Sequence, residues 1–515
     1  MRMMQCWQSL LSVLVWTIWI LVPTAARAEE PLQSKLLFEN WEVALLDGNR
    51  VGYVHFTVHE DSANGVKALR ATKSMKLSVL RGGNVATIQA DTGTYETADG
   101  TVLGVFMTQA LGQNQSLQMT GAVEGKELIL EVEDRVKNEK RIPWPEGVVG
   151  LLKETRLLRE KKAKPGDEID YLYFEPTIAA IVKIRVNVGE KEVLTFDNGT
   201  KRELLRIQSK AERIANVQLP GMTAWIDPMT YQTLVSEVEL PGLGRLRMVR
   251  STKENATARV EPKALKTDLL ATQSIPLGER VNQLHAQGGI VYRITLSGDD
   301  DVTSAFSKDA RQSIENVQKN SFELHVQAVR KPKAVEKVEP AAKEFLESNY
   351  FINSNDDRVK QLAKMAVAGA ADDWQKSLQI EKFVRQNMRA VNFGEAMATA
   401  DHVARTLSGD CTEFAMLAAA MCRAEGIPSR TAVGLIYVDS AERPVLAFHM
   451  WTEVYVKGQW LAIDATRANG GVGPGHLKIS DHSWYETRSV TPLLPVMRVL
   501  LAKPQAKILS ATAPE

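Results

Sequence analysis

The feature that most constrains this chain is a cysteine at a predicted helix start, followed by a predicted β-hairpin. Cys411 comes directly after Asp410, which can act as an N-cap, and Glu413 completes a capping box. The apolar pattern that follows continues to Gly426, a residue typical of a helix end. The sequence therefore predicts a helix that begins at Cys411.

A helix N-terminus changes the chemistry of a thiol placed there. Its unpaired backbone N–H groups and the positive end of the helix dipole favour an anion, and so favour the reactive thiolate of Cys411. The same N–H groups can stabilise an oxyanion. Cys411 is therefore a candidate nucleophile, although a lone cysteine is more often a small buried hydrophobic residue.

The predicted hairpin supplies two possible partners. Residues 446–456 and 459–464 are β-rich and flank Lys457-Gly458, which is typical of a two-residue turn. In that register His449 and Asp464 are diagonal neighbours on one sheet face, with Cβ atoms about 7–8 Å apart at most. Asp464 can then orient His449, and His449 can deprotonate Cys411, which is the logic of an acyl-transfer triad.

Cys422 provides a contrast with Cys411. It lies eleven residues further along the same predicted helix, about 16 Å along the axis. Cα atoms more than about 7 Å apart cannot be bridged, so no disulfide with Cys411 is expected within this helix. Cys422 is predicted to pack in the core.

Four spaced motifs in residues 340–480 resemble the transglutaminase-like superfamily. They are Gly409-Asp410-Cys411, Gly426-Ile427-Pro428-Ser429-Arg430, His449-Met450-Trp451, and Trp460 with Asp464-Ala465-Thr466. The chain departs from the family pattern at Ser429 and Ala465, neither of which belongs to the triad. The resemblance implies a papain-like α/β core, a catalytic Cys411-His449-Asp464 triad, and amide substrates in proteins or peptides.

Two classes of function compete at this point. The first is cysteine-dependent acyl transfer or hydrolysis on amide bonds, with a cysteine peptidase as an alternative. The second is a catalytically silent binding or assembly protein that uses its large N-terminal region. The intact triad favours the first. The choice between water and an amine as acceptor depends on the cleft, which loops such as residues 469–476 border.

No metal and no cofactor are predicted. The sequence has no His-Glu-x-x-His or Cys-x-x-Cys motif. His476 and His482 follow a Gly-rich stretch and could border the cleft, although they are expected to be loop histidines. Asp299 to Asp301 lack the spacing of a calcium-binding loop and predict a solvated turn.

The N-terminus predicts export. Arg2 precedes an apolar run, residues 10–22, and Ala26-Arg27-Ala28 offers small residues for cleavage. This pattern is typical of a signal peptide over residues 1–28, and its apolar run is shorter than a bilayer span of about 20 residues. The bacterial periplasm is the expected compartment, with no stable membrane span after cleavage, and an uncleaved anchor is the alternative.

The remaining chain is predicted to be α+β with three folded parts. These are a β-rich domain with a large antiparallel sheet (29–260), a small β-rich module (275–335) and the transglutaminase-like domain (340–515). With 63 basic and 62 acidic residues, no nucleic-acid partner is expected. A protein or peptide substrate is the expected partner, and the oligomeric state is not determined.

Predicted elements fill these parts. The N-terminal strands are predicted at residues 41–46, 50–59, 68–80, 84–90, 104–111, 116–123, 127–132, 168–174, 181–188, 204–211, 224–227 and 232–240, with a helical piece at 147–160. In the last part, helices are predicted at 358–368, 373–386 and 401–407. Two roles are possible for the N-terminal sheet, a scaffold or a surface that binds a partner. The scaffold role is slightly favoured, because the sheet contains no pattern of reactive residues.

Overall fold

The structure is a computed structural model. It describes residues 33–63, 66–81, 83–112, 115–132, 138–214, 217–240, 244–266, 268, 274–333, 338–390, 397–485 and 491–513. The predicted signal peptide lies outside these residues. None of the helices in the described ranges is long and apolar enough to cross a membrane.

One large sheet forms the N-terminal half. Its strands are β1 Gln33–Leu46, β2 Asn49–Ala63, β3 Val66–Arg81, β4 Asn84–Glu96, β5 Val102–Gly112, β6 Gln115–Glu124, β7 Glu127–Val132, β8 Asn138–Pro143, β9 Val148–Val149, β10 Glu168–Glu175, β11 Ala180–Thr195, β12 Lys201–Ala211, β13 Met222–Ile226, β14 Thr233–Leu240 and β15 Gly244–Ser251. They run in the order β8 to β1, then β15 to β9. Only the β9–β10 pair within this order is parallel.

Turn chemistry explains much of this meander. Asp47 and Gly48 both have positive φ between β1 and β2, which matches the twist that a two-residue hairpin turn requires. All of the predicted strands in this region are present. The sequence did not predict β8, β9 and β15, and β9 occupies the start of the piece predicted as helical, where the helix begins only at Leu151. The α+β fold class is confirmed.

Smaller sheets form the rest of the chain. The core sheet contains β16 Ser274–Pro276, β22 Ser429–Asp439, β23 Pro444–Val456, β24 Gln459–Ile463 and β25 His476–His482; the module sheet contains β17 Gly289–Leu296, β18 Gln312–Glu315, β19 Ser321–Gln327 and β26 Pro504–Thr512; β20 Arg389–Ala390 and β21 Ser408–Gly409 form a short pair. The helices are α1 Leu151–Glu160, α2 Lys253–Ala256, α3 Asp357–Ala366, α4 Asp373–Asn387, α5 Ala400–Thr406, α6 Cys411–Ala424 and α7 Leu494–Leu501. The three helices predicted before Cys411 match α3, α4 and α5.

Strand pairing crosses the predicted domain boundaries. β16 extends the core sheet by pairing with β23, and β26 extends the module sheet by pairing with β17. The large sheet also packs on the core, since Met107 and Leu117 share a buried cluster with Phe351 and helix α6. The three boundaries themselves stay a prediction.

The triple-aspartate segment is solvated at Asp300 and Asp301, as the sequence predicted, but not at Asp299. The Asp299 carboxylate accepts from Arg498 Nε at 2.6 Å and Nη2 at 2.9 Å, in a largely buried ion pair. Asp301 accepts from the hydroxyl groups of Thr303 and Ser304. The partner Arg498 lies about 200 residues further along the chain, so the local sequence carries no sign of this pair.

Candidate active site

Cys411 is the first residue of helix α6, as predicted. Asp410 accepts a hydrogen bond from the Thr412 backbone N–H at 2.9 Å, and the Glu413 carboxylate accepts from the Asp410 N–H at 2.9 Å. This is the predicted capping box. The Cys411 side chain lies at the partly exposed end of an otherwise buried helix.

Gly409 has a steric role in this motif. A Cβ atom there would lie 2.3 Å from the Cβ atom of Glu413, too close for any other residue without a backbone shift. Glu413 also accepts from the Ala398 N–H at 3.0 Å, so it joins the helix start to the preceding segment. Burial and the charge of Asp410 raise the pKa of Glu413 to about 8.

The hairpin brings His449 and Asp464 together. Val456 pairs with Gln459 and Tyr455 with Trp460, so Lys457-Gly458 is the two-residue turn that the sequence predicted. His449 Nε2 lies 2.9 Å from Asp464 Oδ2. With Nε2 held by Asp464, Nδ1 is the ring nitrogen available to Cys411, whose side chain helps to raise the pKa of the imidazole. The three predicted triad residues therefore lie in one connected group.

The electrostatics of this group favour opposite charges on His449 and Asp464. Burial would lower the pKa of His449, but the charge and hydrogen bond of Asp464, together with Cys411, raise it to about 10. Burial would raise the pKa of Asp464, but His449 and His476 hold it well below its usual range. At neutral pH, His449 is therefore an imidazolium beside a carboxylate.

His476 is a member of this group that the sequence reasoning missed. It is not a loop histidine as predicted, because it begins strand β25 and is almost fully buried. Its Nε2 lies 3.0 Å from Asp464 Oδ2, the same oxygen that binds His449. Burial, outweighing Asp464, lowers the pKa of His476 to about 3, so it is a neutral donor.

Further hydrogen bonds fix the position of Asp464. Its Oδ1 atom accepts from the Thr466 N–H at 2.9 Å and the Thr466 hydroxyl at 2.6 Å. Its own N–H donates to Glu381 Oε1 at 2.9 Å, and the other oxygen of Glu381 accepts from the Gly470 N–H at 3.1 Å. Glu381, on α4, thus holds both the end of β24 and the loop after it. Burial raises its pKa to about 7.

A metal is not needed to explain this arrangement. One atom each of His449, Asp464 and His476 lies within 4.8 Å of the others, which is a possible ligand set. A metal-bound histidine normally donates its second N–H to an acceptor, but His476 Nδ1 has no partner among the described residues. The two N–H···O bonds to Asp464 account for the geometry better.

Other residues of the motifs have structural roles. Cys422 is fully buried, as predicted, and burial raises the pKa of its thiol. Ser429 donates to the Ala419 carbonyl at 2.8 Å, so this departure from the family pattern ties β22 to α6. Arg430 pairs with Glu453 and lies 3.9 Å from the Trp460 ring centre.

Comparison with known protein families gives one match. Residues 360–465 match the transglutaminase-like superfamily, a stretch that contains Cys411, His449 and Asp464. No curated protein shows a significant match to this chain.

Three solved structures show partial similarity. A candidate cysteine protease from Cytophaga hutchinsonii has 19% identity and a TM-score of 0.28, covering 45% of this chain and 84% of its own. A beta-barrel-like protein of a domain of unknown function from Brucella abortus has 10% identity and a TM-score of 0.30, covering 42% and 95%. The periplasmic domain of TgpA from Pseudomonas aeruginosa, bound to ethylmercury, has 15% identity and a TM-score of 0.23, covering 38% and 83%. On the family match and its motifs, this chain contains a region of the transglutaminase-like superfamily, residues 360–465.

Proposed function

We propose that this protein is a cysteine acyltransferase or amide hydrolase that acts on protein or peptide substrates through Cys411, His449 and Asp464. The observation that carries the proposal is the placement of Cys411 at the α6 N-terminus beside His449, which is bound to Asp464. Each group has the role its chemistry suits: a thiol nucleophile, an imidazole acid–base and an orienting carboxylate.

The reactive state is inferred to be a thiolate–imidazolium pair, formed when the Cys411 thiol gives its proton to His449. With a pKa of about 10, His449 holds a proton at neutral pH while Asp464 balances its charge. The Cys411 sulfur attacks the amide carbonyl carbon and forms a tetrahedral oxyanion. The N–H of Cys411 at the helix start can stabilise that oxygen.

Collapse of this intermediate requires a proton for the leaving amine. His449 donates it, the C–N bond breaks, and an acyl thioester remains on Cys411. Neutral His449 then takes a proton from the incoming water or amine. That acceptor attacks the thioester carbonyl and releases the Cys411 thiolate. The thiolate–imidazolium pair is thereby restored.

The test is alkylation of the folded protein with iodoacetamide at pH 7, followed by peptide mapping. Cys411 should react much faster than Cys422, which is buried and has a raised thiol pKa. Cys422 is thus an internal control in the same helix. Equal labelling rates, or protection of Cys411, would contradict the proposal.

Location in the periplasm is part of the proposal and depends on the sequence pattern of residues 1–28. Intact mass measurement of the protein recovered from its native host tests it. Cleavage after Ala28 is the expected result. A retained N-terminus would support the anchored alternative instead.

A further inference from the structure

A cleft of about 800 Å³ lies beside the candidate triad. It is formed between the segment that precedes β17 and the core sheet. Its lining residues are Val281, Gln283, Leu284, His285, Ala286, Arg330, Tyr437, Val438, Asp439, Arg467 and Asn469. Clefts of this volume between folded parts are common places for ligands, with apolar walls and a few polar groups that fix orientation.

The wall of the cleft packs against the triad group. The ring of His285, in its wall, lies 5.5 Å from the ring of His476, and His476 lies 5.8 Å from His449. Arg467 is on the turn directly after Asp464, where its N–H donates to the Asp464 carbonyl at 3.0 Å. An occupant of the cleft would therefore lie beside the residues that hold Asp464 in place.

The charged groups of the cleft are mostly positive. Arg467 is exposed, and its guanidinium makes no hydrogen bond or ion pair within the described part of the chain. Arg330 uses Nη2 to bind the His285 carbonyl at 2.7 Å. Asp439, the acidic residue of the lining, is already paired with Arg280.

His285 adds no charge to this cleft near neutral pH. Burial, followed by the nearby charge of Arg467, lowers its pKa to about 4. Its Nε2 is held by the Tyr437 carbonyl at 2.8 Å. The group best placed to bind a ligand in the cleft is therefore the free guanidinium of Arg467.

We propose that this cleft is the subsite for a carboxylate-bearing segment of the peptide substrate, with Arg467 as a specificity-determining residue. A planar guanidinium without a protein partner fits a carboxylate through two parallel hydrogen bonds. The apolar walls from Leu284 and Val438 suit the aliphatic part of such a residue. The inference depends on the proposed function, because it concerns selectivity at the same nucleophile.

Thiol-reactive peptides test the subsite without needing turnover. The probes are iodoacetyl peptides with one to four glycine spacers, ending in Glu amide, in Gln amide, or in glycine with a free C-terminus. For each protein, the labelling rate of Cys411 by an acidic probe is divided by its labelling rate by the Gln amide probe with the same spacer. We expect a ratio of about fivefold or more at the spacer length that fits. The two acidic probes distinguish a side-chain carboxylate from a terminal one.

Variants separate a specific effect from a general one. Arg467→Gln should reduce the ratio to about one, and Arg467→Glu should favour an otherwise identical lysine probe. Arg259→Gln is the matched control, because Arg259 is 83% exposed and does not line the cleft. It should keep the wild-type ratio.

The outcomes distinguish the two proposals. If Cys411 is inert to iodoacetamide itself, the proposed function fails. If Cys411 reacts but neither acidic probe is favoured at any spacer length, or Arg467→Gln keeps the preference, the subsite is wrong and the proposed function stands.

Discussion

At the scale of single residues, Asp464 serves two histidines in different charge states. Its Oδ2 atom binds a protonated His449 and a neutral His476, while Oδ1 binds Thr466. Every hydrogen bond that the side chain makes is one that a carboxylate accepts. A neutral side chain of the same shape cannot accept all of them.

Asp464→Asn should therefore lose most activity. The amide NH₂ would donate to His449 Nε2 and so favour the tautomer with a proton on Nδ1, which cannot accept the Cys411 proton. The equivalent change in serine-protease triads lowers kcat about 10⁴-fold. The measurement is single-turnover acylation with a p-nitrophenyl ester, with circular dichroism as the check on folding. An unchanged acylation rate in a folded variant would exclude Asp464 as the third member.

His476 should make the protein less stable in mild acid. Its pKa is about 3 when folded and about 6.5 when unfolded, so between these values the unfolded chain binds the extra proton. The contribution of neutral His476 to the free energy of unfolding is thus fully present above pH 6.5 and is lost as the pH falls. At pH 5 the loss is about 2 kcal/mol. His476→Gln keeps an N–H donor and should remove this loss. Urea denaturation of both proteins at pH 7 and pH 5 measures it.

A control for this experiment is His55→Gln, on the large sheet away from the site. It should retain the wild-type difference between pH 7 and pH 5. If His476→Gln shows the full wild-type loss, His476 does not titrate as the structure indicates.

These residues also show how far sequence reasoning reached at the site. His449 and Asp464 could be placed together because a two-residue turn fixes the register of a hairpin. His476 could not, because its contact with Asp464 depends on how β25 packs beside β22, a pairing that no local pattern encodes. Glu381 was missed for the same reason, since it reaches Asp464 from helix α4.

At the scale of elements, the start of α6 is held by contacts beyond its own cap. Glu413 accepts from Asp410 and from Ala398, so it orders the helix start and the segment before α5 together. The position of the Cys411 sulfur depends on both. The sequence revealed the capping box but not the contact with Ala398, which is fifteen residues away.

Glu413→Ala should destabilise the protein by about 2 kcal/mol, at the upper end of the range for lost caps, because buried N–H groups also lose their acceptor. It should also slow alkylation of Cys411. Thermal melting and iodoacetamide kinetics check the two effects. Glu425→Ala, at the opposite end of the same helix, is the matched control and should change neither value appreciably. Equal effects of the two variants would argue against a special role for the N-terminal cap.

At the scale of the whole molecule, the module sheet and the core depend on each other. Arg311 donates to the carbonyl groups of Gly473 and His476, and Lys478 forms buried ion pairs with Asp309 and Glu453. Glycines permit this close packing, since a Cβ atom at Gly473 would lie 2.0 Å from the His285 carbonyl oxygen. Sequence analysis placed these residues in separate parts because long-range ion pairs leave no local signal.

Two fragments test this dependence. A fragment of residues 274–515 should melt cooperatively and keep a reactive Cys411, because it retains β16, the module sheet and Arg311. A fragment of residues 340–515 should lack a cooperative transition, since β26 then has no partner. Calorimetry and alkylation with peptide mapping measure both. If the shorter fragment melts as cooperatively as the longer one, the module is dispensable for folding.

The pairing of β26 with β17 sets an order on assembly during synthesis. About 200 residues separate the two strands, so a ribosome adding about 5–20 residues per second makes β26 roughly 10–40 s after β17. Throughout that interval the β26-facing edge of β17 has no native partner and can pair with other chains. A chain cut short before residue 504 would keep that edge open permanently, even though Cys411, His449 and Asp464 were all present.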